Sequence, residues 1–301
     1  METNRLILRS VLYLPANNER ALAKLPTLNC DAVIFDLEDS VAPEAKSDAR
    51  EQLRGYFQKA QRTAKTRAIR INGLDTRWFT EDLMAARACC PDAIVIPKVS
   101  SPHDLQLVED ALGETDAPPT IKLWAMIETP MGVLQVADIA GHAQKMASRL
   151  QALVLGTNDL FKEAALTGDA VRSVAHPWFM QIILAAKANA IASIDGVYND
   201  FQDLEAFDRE CGSAAAIGFD GKTLIHPAQI LAANRNFSPG ADALDTAQQI
   251  VDAFDLPENA DKGVISLGGK MVERLHLEQA EALLARQAMI EVRAKEGEET
   301  L

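Results

Sequence analysis

Ile121-Lys-Leu-Trp-Ala-Met-Ile127 runs straight into Glu128-Thr-Pro130, and Leu150-Gln-Ala-Leu-Val-Leu155 runs into Gly156-Thr-Asn-Asp159. Each is a short β-rich run closed by turn residues, with a carboxylate at its carboxyl end. The construction repeats on the N-terminal side. Ala93-Ile-Val-Ile-Pro97 precedes Lys98, Arg67-Ala-Ile69 precedes Arg70, and Ala32-Val-Ile-Phe35 precedes the acids Asp36, Glu38 and Asp39. The pattern predicts strands at 8–14, 32–37, 67–71, 93–97, 121–127, 151–155, 191–194 and 213–218. Helical stretches at 17–25, 44–59, 78–89, 103–112, 132–140, 174–189 and 202–211 alternate with them.

Strands that alternate with helices in this way predict an α/β chain, a (β/α)8 TIM barrel with a C-terminal helical extension. A doubly wound sheet usually shows a Gly-rich turn after its first strand, and Tyr13-Leu-Pro-Ala-Asn17 has no Gly. In a barrel the charged strand ends collect at one pole, where the active site lies. After about residue 235 the pattern changes to an acidic helix at 241–254, a loop and a short apolar piece at 264–266. Gly268-Gly269 then reads as the opening of a long helix running to about 295. The expected division is a catalytic barrel at 1–235 and a lid or oligomerisation segment at 236–301.

With 301 residues, 48% of them apolar, the chain can bury a large core. A net charge of −13 argues against a nucleic-acid or anionic-membrane surface, though a local basic cluster can still hold an anionic ligand. No apolar stretch is long enough to span a membrane. Met1-Glu-Thr-Asn-Arg5 lacks a signal-peptide pattern, and Cys30, Cys89, Cys90 and Cys211 lack metal-ligand spacing. A cytoplasmic protein is expected.

Glu128 and Asp159 on neighbouring strand ends form an oxygen-only pair suited to Mg²⁺, although each also fits as a helix cap. Arg70, inside an apolar strand, needs either a structural acid or a polar cavity where its fork holds a carboxylate or a developing enolate. Asp36 and Glu38 can accept hydrogen bonds from metal-bound water, while Asp39 reads as a helix cap. Lys98 either binds an anion or faces solvent. His226, before Pro227, is placed to contact a ligand, whereas His142 reads as a surface or capping residue. Gly221-Lys-Thr223 has the end of a phosphate loop, but Ala216 stands where its first Gly is needed.

Taken in order, these residues resemble the citrate lyase β-subunit-like family of CoA-ester lyases, within the HpcH/HpaI-type aldolases. The markers are Tyr13-Leu-Pro15 with Arg20, Asp36-Leu-Glu-Asp-Ser-Val41, Arg70-Ile-Asn72, Ile96-Pro-Lys98, Ile127-Glu-Thr129, Gly156-Thr-Asn-Asp-Leu160, Asp195-Gly-Val-Tyr198 and Ile225-His-Pro227. The resemblance implies a modified TIM barrel, Mg²⁺ on Glu128 and Asp159, and Arg70 at the acyl-thioester end of the substrate. It implies cleavage of a malyl-CoA- or citramalyl-CoA-type thioester to acetyl-CoA and a 2-oxo acid. A citrate lyase β subunit acting on an acyl-carrier-protein thioester, a malate-synthase-like thioesterase and a non-catalytic CoA-binding protein are the alternatives. It also implies a homotrimer or hexamer in which a C-terminal segment brings a catalytic Asp to a neighbouring site. Here Gly269-Lys-Met-Val-Glu273 matches that segment, with Glu273 in place of the Asp. Arg20 and Lys24 are candidates for the CoA phosphates.

Overall fold

The computed structural model describes residues 6–299 apart from Asp169 and Ala260, with side chains as far as Lys295. Eight parallel strands close a barrel in chain order, and the last pairs with the first. They are β1 (Ser10–Pro15), β2 (Ala32–Asp36), β3 (Thr66–Arg70), β4 (Ala93–Ile96), β5 (Lys122–Ile127), β6 (Leu150–Leu155), β7 (Ala192–Asp195) and β8 (Gly221–Leu224). α1 (Glu19–Lys24), α2 (Lys46–Lys59), α3 (Phe79–Cys89) and α4 (Pro102–Glu114) follow the first four. α5 (Pro130–Leu134) and α6 (Val136–Gly141) follow β5, then α7 (Thr157–Glu163), α8 (Val171–Val174) and α9 (His176–Ala188) follow β6. α10 (Leu204–Ile217) and α11 (Ile230–Asn236) complete the ring. The TIM barrel read from the sequence is the observed fold.

Strand alternation divides the core into two layers. Ala32, Ile34, Ala68, Trp124, Met126, Ala152 and Val154 fill the barrel, while Val33, Phe35, Ile69, Leu123 and Leu153 face the helices. Carried one step further, the inward parity falls on Asp36, Arg70, Glu128 and Gly156. The pleat that packs the core therefore also aims the charged residues into the barrel mouth.

The eighth strand was expected at 213–218, and those residues instead end α10 and the turn after it. The Asp203 side chain caps that helix, Ala214-Ala-Ala216 favours its continuation, and Gly218 at φ 110° terminates it. The real strand, Gly221-Lys-Thr-Leu224, has a charged centre that masks it in sequence. A Cβ at Gly221 would lie 1.6 Å from the Leu8 carbonyl oxygen, so only glycine lets β8 approach there. His142, expected as a surface or capping residue, is the C-cap of α6 but is buried, with Nε2 2.7 Å from Glu109 Oε2.

Beyond the barrel come α12 (Ala241–Asp255), an antiparallel hairpin of β9 (Val264–Leu267) and β10 (Lys270–Glu273), and α13 (Arg274–Glu299). The expected helix start at Gly268-Gly269 is the hairpin turn, because both residues have positive φ, 56° and 77°. Phe254, Ile265 and Val272 give this segment an apolar cluster of its own. α13 is tied to the N-terminal pole of the barrel: Arg286 donates to the Asp220 and Phe237 carbonyls, and Arg293 Nε lies 3.6 Å from Asp31 Oδ1. No described helix is long and apolar enough to cross a membrane.

Candidate active site

Arg70 is held from below and beside. Its Nε and Nη2 donate to Asp36 Oδ1 and Oδ2, both at 2.7 Å. Nη1 lies 2.8 Å from Glu38 Oε2 and 3.5 Å from Asp39 Oδ2, and the guanidinium sits 5.0 Å from the Tyr13 ring centroid. Asp36 also accepts from the Glu38 and Ser40 backbone N–H groups at 2.9 and 3.1 Å. Burial pushes the Asp36 carboxyl up, but Arg70 outweighs it and holds the group below the usual carboxylate range. Burial opposes the charge on Arg70 too, and Asp36 outweighs it, so the guanidinium is held well above its ordinary value. This bidentate pair favours the charged form of both partners.

Glu128 has no such partner. It is 1% exposed, and Oε1 accepts from the Lys98 backbone N–H at 2.8 Å. Lys98 takes a left-handed backbone, φ 54°. The other carboxylate oxygen lies against Gly156, where a Cβ would sit 2.5 Å from it. Burial pushes the Glu128 carboxyl up to about 7 despite Arg70, and Asp159 adds to the shift. Burial likewise lifts Glu38 to about 8, with Glu128 and Asp39 contributing against the pull of Arg70. The mouth therefore holds more buried carboxyl groups than cations to match them.

A cavity of about 300 Å³ opens over these groups, lined by Tyr13, Arg70, Met126, Glu128, Asp159 and Thr223 among others. The structure thus gathers Arg70, Asp36, Glu128 and Asp159 around one space, with Glu38 behind Arg70. Asp39 lines the cavity and makes no helix cap, contrary to expectation. The Lys98 side chain is exposed and does not line this cavity; burial opposes its charge, but Glu38 and Asp159 together push the ammonium up. Arg20 lines a shallow neighbouring cavity of about 530 Å³ that shares Ser40 with the first. Lys24, in the last turn of α1, reaches neither cavity. His226 caps the turn at Pro227, accepting from Ala228 N at 3.1 Å, and stacks on Phe201 at 4.8 Å. Glu273 lies outside the cavity of its own chain, which no described residue beyond Ile225 lines.

Sequence reasoning assigned no role to Tyr13 or Gly156; the inward parity of β1 and β6 was the available signal. It also missed a second ion cluster. Lys222, fully buried, donates from Nζ to Asp195 Oδ2 at 2.6 Å, the Gly196 carbonyl at 2.6 Å and Glu210 Oε1 at 2.7 Å. Arg172 Nη2 joins Asp195 Oδ2 at 2.6 Å. Among the described residues, no three His, Cys, Asp or Glu side chains converge on a metal position.

The profile of the HpcH/HpaI aldolase/citrate lyase family matches residues 9–227. The chain belongs to this family. A (3S)-malyl-CoA thioesterase of Cereibacter sphaeroides is 42% identical over 278 residues, covering 92% of this chain and 94% of that one. The mitochondrial citramalyl-CoA lyase of Homo sapiens is 29% identical, covering 91% and 83%. The solved structure of CitE from Mycobacterium tuberculosis in complex with magnesium, acetoacetate and coenzyme A superposes with a TM-score of 0.73. It is 28% identical and covers 93% of this chain and 97% of that one. The family is that of CoA-ester-processing enzymes and lyases, so this chain is an enzyme of that kind, and the resemblance read from its motifs holds.

Proposed function

We propose that the protein is a Mg²⁺-dependent carbon–carbon lyase that cleaves a malyl-CoA- or citramalyl-CoA-type thioester to acetyl-CoA and a 2-oxo acid. The observation that carries this reading is the surplus of buried carboxyl groups around one saturated arginine. Burial drives Glu128 and Glu38 toward neutrality, and the pull of Arg70 does not offset it. A divalent ion between Glu128 and Asp159 would relieve that. Two oxygen donors, rather than three or more, suit Mg²⁺, which keeps waters and takes its remaining ligands from substrate. CitE, solved with magnesium, supports the same assignment.

Bound there, Mg²⁺ would supply Lewis acidity at the substrate carboxylate and the neighbouring hydroxyl oxygen. The chain does the rest. The bond between the carbinol carbon and the acetyl methylene breaks, its electron pair passes to the thioester as an enolate, and the hydroxyl proton passes to solvent water in the open mouth, leaving the oxo-acid carbonyl. Asp36 fixes the Arg70 fork, so its charge faces the enolate oxygen without reorganising as the bond breaks. Glu38, whose Oε2 lies 2.8 Å from Arg70 Nη1, would accept hydrogen bonds from the water of a bound Mg²⁺. Glu273 delivers a proton to the acetyl methylene carbon. Because α13 is tied to the far pole of its own barrel, Glu273 serves the site of a neighbouring subunit in a homotrimer or hexamer. Arg20, beside the mouth, and Lys98, an exposed ammonium coupled to the mouth carboxyls, meet the CoA phosphates; Lys24 and His226 have no part in this reading.

A second reading, thioester hydrolysis, is favoured by the likeness to the (3S)-malyl-CoA thioesterase. Water would attack the thioester carbonyl and CoA thiolate would leave. The test is incubation with (S)-malyl-CoA and (S)-citramalyl-CoA, with and without Mg²⁺, assaying glyoxylate, pyruvate and free thiol. Oxo acid with acetyl-CoA is the expected product. Free CoA with malate, and no oxo acid, would replace lyase with thioesterase. Turnover untouched by EDTA would remove the metal.

A further inference from the structure

We infer a second ligand site, for a small carboxylate with a short apolar tail, between the barrel wall and the helix layer on the outer side of β2 and β3. A cavity of about 300 Å³ there is walled by Leu22, Leu25, Val33, Tyr56, Ala60 and Arg67. Alternation along β3 sends Arg70 into the barrel and Arg67 outward, so the β-sheet separates this space from the mouth.

Arg67 is the anomaly. It is 9% exposed, its guanidinium carbon lies 4.7 Å from the Phe57 ring centroid, and its Nε is buried with no hydrogen-bond partner. The other buried arginines described all hold carboxylates: Arg9 holds Asp31, Arg50 holds Asp82 and Arg70 holds Asp36. Among the described residues no salt bridge engages Arg67. The neighbouring carboxylate of Asp92 is already used, by Arg62 Nη2 at 2.5 Å and by the Arg67 backbone N–H at 2.8 Å. Burial, and then Arg62, push the Arg67 guanidinium down from its ordinary value. Lys65, at the cavity rim, is engaged with the Pro26 carbonyl at 3.3 Å.

A buried guanidinium Nε without an acceptor is costly, and here Arg67 borders a cavity large enough for a ligand. The fork of Arg67 matches a carboxylate bidentately, and one buried charge matches a monoanion better than a phosphate dianion. The Leu, Val, Ala and Pro walls would take a few methylenes of tail.

The probe is hexanoate, titrated calorimetrically into the full chain, with hexanamide as the neutral control. One saturable hexanoate site is expected, with hexanamide bound at least tenfold more weakly. Arg67→Gln should weaken hexanoate at least tenfold, and Ala60→Phe, which fills the cavity and leaves the Arg67 side chain in the chain, should abolish it. Glu128→Ala, altered only at the mouth, should bind hexanoate as wild type does. Crystals soaked in 6-bromohexanoate should place the anomalous bromine peak among Leu22, Val33 and Ala60. Absence of saturable binding, equal binding of hexanamide, full affinity in Arg67→Gln, or a bromine peak elsewhere would each overturn the site. Should Arg67→Gln fail to fold, Ala60→Phe and the bromine position decide.

Discussion

Two clusters of buried charge sit on the same barrel, and they are built differently. Around β7 and β8, the cations Lys222 and Arg172 face the carboxylates of Asp195 and Glu210, one for one. Burial pushes Asp195 up, but Lys222 and then Arg172 outweigh it and hold it below the ordinary range. Around β2, β3 and β5, Arg70 pairs with Asp36 and Glu38, no described salt bridge reaches Glu128, and two of those carboxyls are pushed up to about 8 and about 7. The first cluster is complete within the chain and acts as a brace. The second is short of positive charge within the chain, and the Mg²⁺ proposed above would supply it.

The contrast can be broken from either side. The largest effect is expected at the mouth. Glu128→Ala should lower turnover by about 10³-fold or more and abolish Mg²⁺ binding by calorimetry, with the fold intact by circular dichroism. Wild-type Mg²⁺ affinity in that variant would return Glu128 to a capping role. Next, Lys222→Met removes a cation from the balanced cluster, leaving Asp195 buried with only Arg172. Urea unfolding should show a loss of about 3–5 kcal/mol, while Mg²⁺ affinity stays unchanged. A neutral outcome would mean that the brace is dispensable.

A smaller effect is expected at Glu273. Glu273→Gln should reduce turnover about 10²-fold with little change in KM, consistent with loss of a proton-transfer group. Mixing it with Glu128→Ala and reassembling the oligomers should restore part of the activity if Glu273 serves a neighbour. No recovery on mixing would place both groups in one subunit's site.

A last, graded effect concerns pH. Glu38 and Glu128 keep their protons in the fold at a pH where the unfolded chain, near 4.5, has lost them. The folded state then binds more protons, so metal-free stability should fall as pH rises from about 4.5 to about 8. The slope is at most about 1.4 kcal/mol per pH unit for each group. Urea titrations at intervals across that window should show a shallower slope for Glu38→Gln, and a shallower one again for wild type in saturating Mg²⁺. Identical slopes in all three would mean that these carboxyls titrate normally.

Much of this was legible in the chain. A strand writes its two faces into sequence at period two, so Ala32-Val-Ile-Phe35 and Leu123-Trp-Ala-Met126 declare both a barrel and the side on which Asp36 and Glu128 must fall. Acids and an arginine at strand ends, together with family-specific motifs, then named the site. Other features were hidden because the local signal was ambiguous or misleading. Lys222 disguised β8, since a charge at a strand centre makes sense only beside Asp195 and Glu210, which lie far off in sequence. Ser213-Ala-Ala-Ala216 has no period, and only the Asp203 cap and Gly218 mark it as helix.

By itself, then, the sequence determined the barrel, its alternating layers and the list of charged residues at the mouth, because these follow from local periodicity. Tertiary structure alone decided which charges cancel. Ionisation depends on burial and on partners brought from distant strands, and that is why Arg70 is saturated by Asp36, Glu128 stays uncompensated against Gly156, and Arg67 stands without a carboxylate.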